Sequence, residues 1–312
     1  MPALTPPGAM RVTPPGAMRA LVLSNCSYPA YTAYMQTMFP HWDVRGVFLP
    51  QATTWVRDGH PAFMAFLDQI DIFIGMTAMA PVNALVKPGV IRVLLPYFTY
   101  HGYHPDALWL HGLPSPLENG VLHSAIAASA WLLGKSVPAA QALFCAAHFD
   151  RLGYFAAPVA DRARVTAMFA DPSGIDIDPL FADWARAGNF MHTPNHPKPP
   201  VFFDIIHAGM VQAGFGDCID TALLARTRAA LNDDLGRGIL WPVYPELAAA
   251  GGLLPTSPHW RSGEKAGAAG PSFGLEEMLQ RSWAIYAAQP AKRAAMIQML
   301  GGQDKVAAFG GA

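Results

Sequence analysis

Four short apolar runs punctuate the first hundred residues, and helical spacing fills the intervals between them. Ala20-Leu21-Val22-Leu23 is the first run, and it breaks off at Ser24-Asn25-Cys26-Ser27. Pro29 then opens a segment in which Tyr31, Tyr34, Met35 and Met38 recur three and four residues apart, as on one face of a helix. Asp43–Leu49 is the second run, and Asp71–Met76 follows a helical Pro61–Gln69 as the third. A further short helix leads into the fourth, Val90–Leu95. Strand-length runs alternating with helices predict βαβ units and a parallel sheet. Right-handed crossovers then place the strand ends, Cys26 among them, along one edge of that sheet.

Beyond about residue 120 the pattern turns almost wholly helical. Leu122–Leu133, Pro138–Leu152, Pro158–Phe169, Pro179–Ala187, Phe202–Ala213 and Leu275–Ala288 all carry helical spacing. The predicted class is α/β: a small parallel sheet with crossover helices at the N-terminus, followed by a larger, mostly helical C-terminal part. Residues 1–18 read as a flexible leader, 19–120 as the α/β layer carrying Cys26, and 121–312 as a helical region packed on it in one continuous globular unit. The leader holds TPPGAMR twice, at Thr5–Arg11 and Thr13–Arg19, and a segment so rich in proline and glycine cannot bury a core.

Composition narrows the function. Only 14% of residues are charged and 52% are apolar, so the chain is expected to bury further area in a deep cleft or a partner, another copy included. A formal net charge of −1 argues against nucleic acid, which needs a basic field. No run reaches the roughly 18 apolar residues of a membrane span. Three cysteines, Cys26, Cys145 and Cys218, are odd in number and widely spaced, the usage of a reducing, cytoplasmic compartment.

Three segments offer chemistry. Cys26 stands where ligands bind in open parallel sheets, beyond a strand's carboxyl end and just before a helix whose N-terminus lowers a thiol pKa; a small filler between strand and helix is the alternative. Asn25 beside it either donates its amide to a developing oxyanion or caps the turn. Thr193-Pro194-Asn195-His196-Pro197 fixes His196 on a rigid loop, as a general base or as a solvent-facing histidine. Tyr100, His101, His104 and Asp106 follow the fourth strand and suit a sugar or an aromatic ring. With His111, these histidines lack a carboxylate or cysteine at matching spacing, so no metal is expected. Cys145 and His148 lie three apart in an apolar helix, where packing is the better reading.

In order along the chain, Leu23-Ser24-Asn25-Cys26-Ser27, Gly102-Tyr103-His104-Pro105-Asp106, Thr193-Pro194-Asn195-His196-Pro197 and Tyr244-Pro245-Glu246-Leu247-Ala248 resemble the WcbI-type polysaccharide biosynthesis proteins, a family of capsule acetyltransferases that bind coenzyme A. The resemblance covers roughly Arg19 to Tyr286. A glutamine usually follows the cysteine in that family, and Ser27 departs from it. The resemblance implies an acyl-CoA donor, a saccharide hydroxyl acceptor, and Cys26 and His196 near the acyl group. Arg45, Arg92, Lys198 and Asn195 are then the candidates for holding coenzyme A. The alternatives are an esterase with a Cys26 nucleophile on an SGNH-like layer, and a non-catalytic saccharide- or nucleotide-binding component.

Overall fold

The computed structural model describes residues 17–76, 80–118, 120–171, 173–229, 231–254, 257–263 and 268–311. Most of the proposed leader lies outside the described residues. Its last residue, Met18, does not behave as leader: it is buried, and its carbonyl accepts from the Asp43 N–H at 2.9 Å.

Two compact units divide the chain. The first comprises the segment up to Tyr97 together with Thr166–Asp183 and Pro199–Asn232; the second comprises Phe98–Val165, Trp184–Lys198 and Asp233–Ala312. Two of the segments beyond residue 120 thus belong with the sheet.

In the first unit, strands β1 (Arg19–Ser24), β2 (Asp43–Phe48), β3 (Ile72–Met76) and β4 (Ile91–Leu95) form the predicted parallel sheet, in the order β2-β1-β3-β4. Helix α1 (Tyr28–Met38) connects β1 to β2; α2 (Leu49–Arg57) and α3 (Pro61–Leu67) lead to β3, and α4 (Ala80–Asn83) to β4. The central strands are apolar along Ala20–Leu23 and Ile72–Met76 because both of their faces are covered there. Leu21, Leu23 and Phe73 point into a core with Ala52, Phe63 and Leu67. Alternation sends Ala20, Val22, Ile72 and Ile74 to the opposite face. The helix Pro199–Met210 joins α1 through edge-to-face pairs, Tyr31–Phe202 at 5.3 Å and Tyr34–Phe203 at 5.5 Å. It also approaches β4 so closely at Gly209 that a Cβ there would stand 2.9 Å from a Val93 methyl.

Among the described residues of the second unit the helical reading is interrupted by three two-stranded ribbons: Ala107–Trp109 with Leu122–Ser124, Met191–Thr193 with His196–Pro197, and Trp260–Arg261 with Ser272–Phe273. Leu122–Leu133 therefore begins as a strand, and its helix starts at Ala125, where the Ser124 hydroxyl accepts from the Ala127 N–H at 2.9 Å. Pro138–Leu152 is two helices, broken where Cys145 takes an extended conformation and caps the second. The core of this unit gathers Leu110, Leu113, Ala128, Tyr286 and Met296. Among the described residues, no helix is long and apolar enough to cross a membrane.

Candidate functional site

Cys26 lies two residues past the last residue of β1, at the head of α1, and is exposed. Cys145 and Cys218 are partly buried. Asn25 shapes the turn: its carboxamide oxygen accepts from the Ser27 N–H at 3.0 Å and its backbone carbonyl from the Tyr28 N–H at 3.0 Å. These are the amides expected to favour a thiolate, and Asn25 already engages them. Surrounding protein atoms also exclude water from part of the thiol, even though the residue opens to solvent. Desolvation therefore pushes its pKa above the ordinary value, and the hydrogen bond from its own backbone only partly offsets this. The expected depression of the thiol pKa is overturned. Exposure should still make Cys26 the first of the three to react with iodoacetamide, slowly at neutral pH and faster as pH rises past 9. Peptide mapping of the alkylated protein checks this; first labelling at Cys145 or Cys218 contradicts it.

Arg45 and Arg92 do not lie at the carboxyl edge of the sheet. Arg45 is in register with Leu21, and Leu21 with Phe73, which in turn pairs with Arg92. Both cations therefore stand level with Leu21, three steps or roughly 10 Å short of the end of β1. Each belongs to an edge strand, where a charge discourages pairing with another sheet. Arg45 forms a two-point ion pair with Asp43 and stacks over Phe66 at 4.2 Å, and Arg92 donates to the Val86 carbonyl at 2.6 Å. The expectation that they stand at the carboxyl edge is corrected by this register.

The second unit holds the histidine site. Met191–Thr193 and His196–Pro197 pair as a hairpin, so His196 sits at the start of a short strand and not on the rigid loop expected from its flanking prolines. Three contacts within the unit clamp the hairpin: Tyr100 N–H to the Pro194 carbonyl at 2.7 Å, Trp241 N–H to the His192 carbonyl at 2.8 Å, and Lys198 N–H to the Phe190 carbonyl at 2.8 Å. In the turn, the Thr193 hydroxyl donates to the Asn195 side-chain oxygen at 3.0 Å.

His196 is partly exposed, and desolvation together with the neighbouring His192 lowers its pKa to about 4. Its imidazole is therefore neutral at pH 7 and able to accept a proton. Inspection of the sequence missed His192 and Asp233. His192 Nε2 lies 2.9 Å from both carboxylate oxygens of Asp233, 41 residues further along the chain. Burial alone would raise the Asp233 pKa, but the bond to His192 and the charge of Lys198 bring it below the ordinary value. Lys198 is partly buried, and its pKa is lowered by desolvation against the opposing pull of Asp233. The only sequence signal for the pair was a second histidine four residues before His196.

The residues expected to touch an acceptor are mostly interior. Tyr100 is 2% exposed and packs against Tyr103 and Phe190, with centroids about 5 Å away. His104 is 1% exposed, and desolvation, then the charges of His101 and His192, lower its pKa to about 3. Asp106 is fully buried and accepts from the Tyr244 hydroxyl at 2.6 Å, the Tyr154 hydroxyl at 3.3 Å and the Ile126 N–H at 2.9 Å, with the Ser124 hydroxyl as a further donor. Fully engaged and sealed from solvent, it anchors the fold. His101 remains partly open, with its ring edge-on to Trp109 at 5.0 Å and its backbone N–H donating to Asp161. Desolvation lowers the His101 pKa. His148, read as core, is buried, with Nε2 on the Phe309 carbonyl at 2.9 Å.

Comparison with known proteins places this chain. A search of the curated proteins gives no match. Over its full fold the chain is similar to a solved structure described as WcbI, a polysaccharide biosynthesis enzyme, in a native form without a disulfide bond between coenzyme A and one of that protein's cysteines. The TM-score is 0.67 at 14% identity, covering 94% of this chain and 98% of the other, a likeness of fold. The model of the WcbI polysaccharide biosynthesis enzyme family matches residues 19–216, from the first residue of β1 to the kinked end of the helix that covers the sheet. That match spans more than half of the chain, which therefore belongs to the WcbI family of polysaccharide biosynthesis enzymes.

Proposed function

We propose that this protein is an acyltransferase that moves an acetyl or similar group from coenzyme A to a saccharide hydroxyl. The observation that carries the reading is an exposed thiol at the mouth of the β1–α1 turn, in a family whose solved relative is described as a native form without a disulfide bond between coenzyme A and one of its cysteines, a description that names the two together. The neutral imidazole of His196 supplies the base.

Of the two routes open to such an enzyme, direct transfer suits these groups better. A thiol with a raised pKa is a poor nucleophile at neutral pH. In direct transfer, His196 takes the proton of the acceptor hydroxyl as its oxygen attacks the thioester carbonyl. The carbon–sulfur bond then breaks, and the departing CoA thiolate takes the proton back from the imidazolium. Cys26 forms no covalent intermediate on this route, and Asn195 and Lys198 flank His196 as the residues closest in sequence for holding the donor.

Coenzyme A should raise the melting temperature by mass action on the native state, a gain of roughly 2.7 kcal/mol at a hundredfold excess over Kd. Arg45→Ala and Arg92→Ala should shift with CoA as the wild type does. No shift at millimolar CoA refutes the donor assignment. Mass spectrometry of protein incubated with acetyl-CoA tests the route: a stable acetyl adduct on Cys26 would replace direct transfer with a covalent mechanism.

A further inference from the structure

We infer that the second unit carries a separate subsite for one sugar ring, in a pocket of about 210 Å³ lined by Phe144, Phe149, Tyr244, Glu246, Trp260 and Leu275. The inference deepens the proposed function by giving the saccharide a place to bind.

Size restricts the occupant first. The pocket is below the roughly 300–1,000 Å³ typical of drug-sized ligands, so it takes a single ring and not a nucleotide or a coenzyme. Chemistry restricts it next. The walls are aromatic and aliphatic, and among the described residues Glu246 is the charged one lining them. Glu246 is partly buried, and it makes no hydrogen bond or ion pair with any described residue. An aromatic surface beside one acceptor-only carboxylate matches a pyranose, which has an apolar C–H face and hydroxyl donors at its edge.

An alkylammonium is the other ligand that aromatics and a carboxylate attract, and the ring arrangement argues against it. A cation binds over ring faces. Phe149 is fully buried and stacks with Tyr154 at 5.8 Å and with Tyr244 at 5.3 Å, and Phe144 stands at 90° to Phe149 and 79° to Tyr244. Tyr244 and Trp260 are buried as well, and Phe144 is the partly exposed ring of the wall: one surface for the C–H face of a sugar, and not the set of faces that encloses a cation. The wall is also rigid, because the Tyr244 hydroxyl is held by Asp106 at 2.6 Å. A fixed wall reduces the ordering cost of binding.

Saturation-transfer NMR of the full chain tests the subsite, with a panel of methyl hexosides and acetamido-hexosides, tetramethylammonium as the contrasting probe, and no acyl donor present. Wild-type protein should bind at least one glycoside saturably. Glu246→Gln keeps the shape and removes the charge, and should weaken binding about tenfold or more, as expected for hydrogen bonds to a charged group. Leu275→Trp should fill the pocket and abolish binding. Both variants should keep the wild-type melting temperature and response to coenzyme A. The subsite is overturned if no glycoside binds, if both variants bind as the wild type does, or if only tetramethylammonium binds. Because acyl transfer is not the readout, the proposed activity and this subsite fail separately: loss of glycoside binding in the variants supports the subsite even where no transfer occurs.

Discussion

Asp106→Ala should destabilise the protein by about 4 kcal/mol or more, because it strips the acceptor from four buried donors and each orphaned donor costs about 1–3 kcal/mol. The donors come from three separate stretches: Ser124 and Ile126 at a helix start, Tyr154 beyond the next two helices, and Tyr244 at the head of Pro245–Ala250. At roughly 2–4 °C per kcal/mol for a chain of this size, the melting temperature should fall by about ten degrees. Asp106→Asn keeps one acceptor oxygen, and the tyrosine hydroxyls can turn to accept from its amide, so it should lose about half as much. The pH dependence carries a sign. Burial raises the Asp106 pKa above its unfolded value, with the hydrogen bonds opposing. The group's contribution is therefore greatest below the unfolded carboxylate range and shrinks as pH rises through the folded pKa. The advantage of the wild type over Asp106→Asn should narrow as pH increases, which chemical denaturation at a series of pH values will show. A wild-type melting temperature for Asp106→Ala would refute the anchoring role.

His196→Ala should lower kcat of acyl transfer by about 10²–10⁴, the usual contribution of a positioned general base. Its side chain is partly exposed, so the fold and the thermal response to coenzyme A should survive. The pH–rate profile separates this residue from an ordinary histidine. A base must be deprotonated to act, and desolvation with His192 holds the His196 pKa at about 4. Activity should therefore stay level from pH 7 down to about 5 and fall only as pH approaches 4. A limb centred near 6.5 would assign the base to a histidine in ordinary surroundings, and an unchanged kcat in His196→Ala would remove it from the mechanism.

Local patterning made the sheet legible. Ala20–Leu23 of β1 and Ile72–Met76 of β3 are apolar runs because both of their faces are buried, and such runs are visible in any short window. Pro29 and the spacing of Tyr31, Tyr34 and Met35 marked α1 for the same reason. These elements and the parallel topology were also enough to place Cys26 at the sheet's carboxyl edge. The ribbons were missed because two- and three-residue strands carry too little periodicity to register.

Partnership between distant residues was not legible. Nothing near Arg45 or Arg92 in the chain tells whether its strand lies at an edge or in the centre, or how far along the strand the charge stands from the carboxyl end. Asp106 read as a ligand because an aromatic, histidine-rich loop looks the same whether it faces solvent or core. Its donors lie 18 to 138 residues away. The same holds for His192, whose carboxylate is 41 residues distant. The sequence alone determined the central strands, their connecting helices and the cysteine at their edge, since these follow from hydrophobic spacing within a few residues. Only the tertiary structure decided which polar groups are sealed, which are paired and which remain open, because burial and charge pairing depend on neighbours that the chain brings together from far apart.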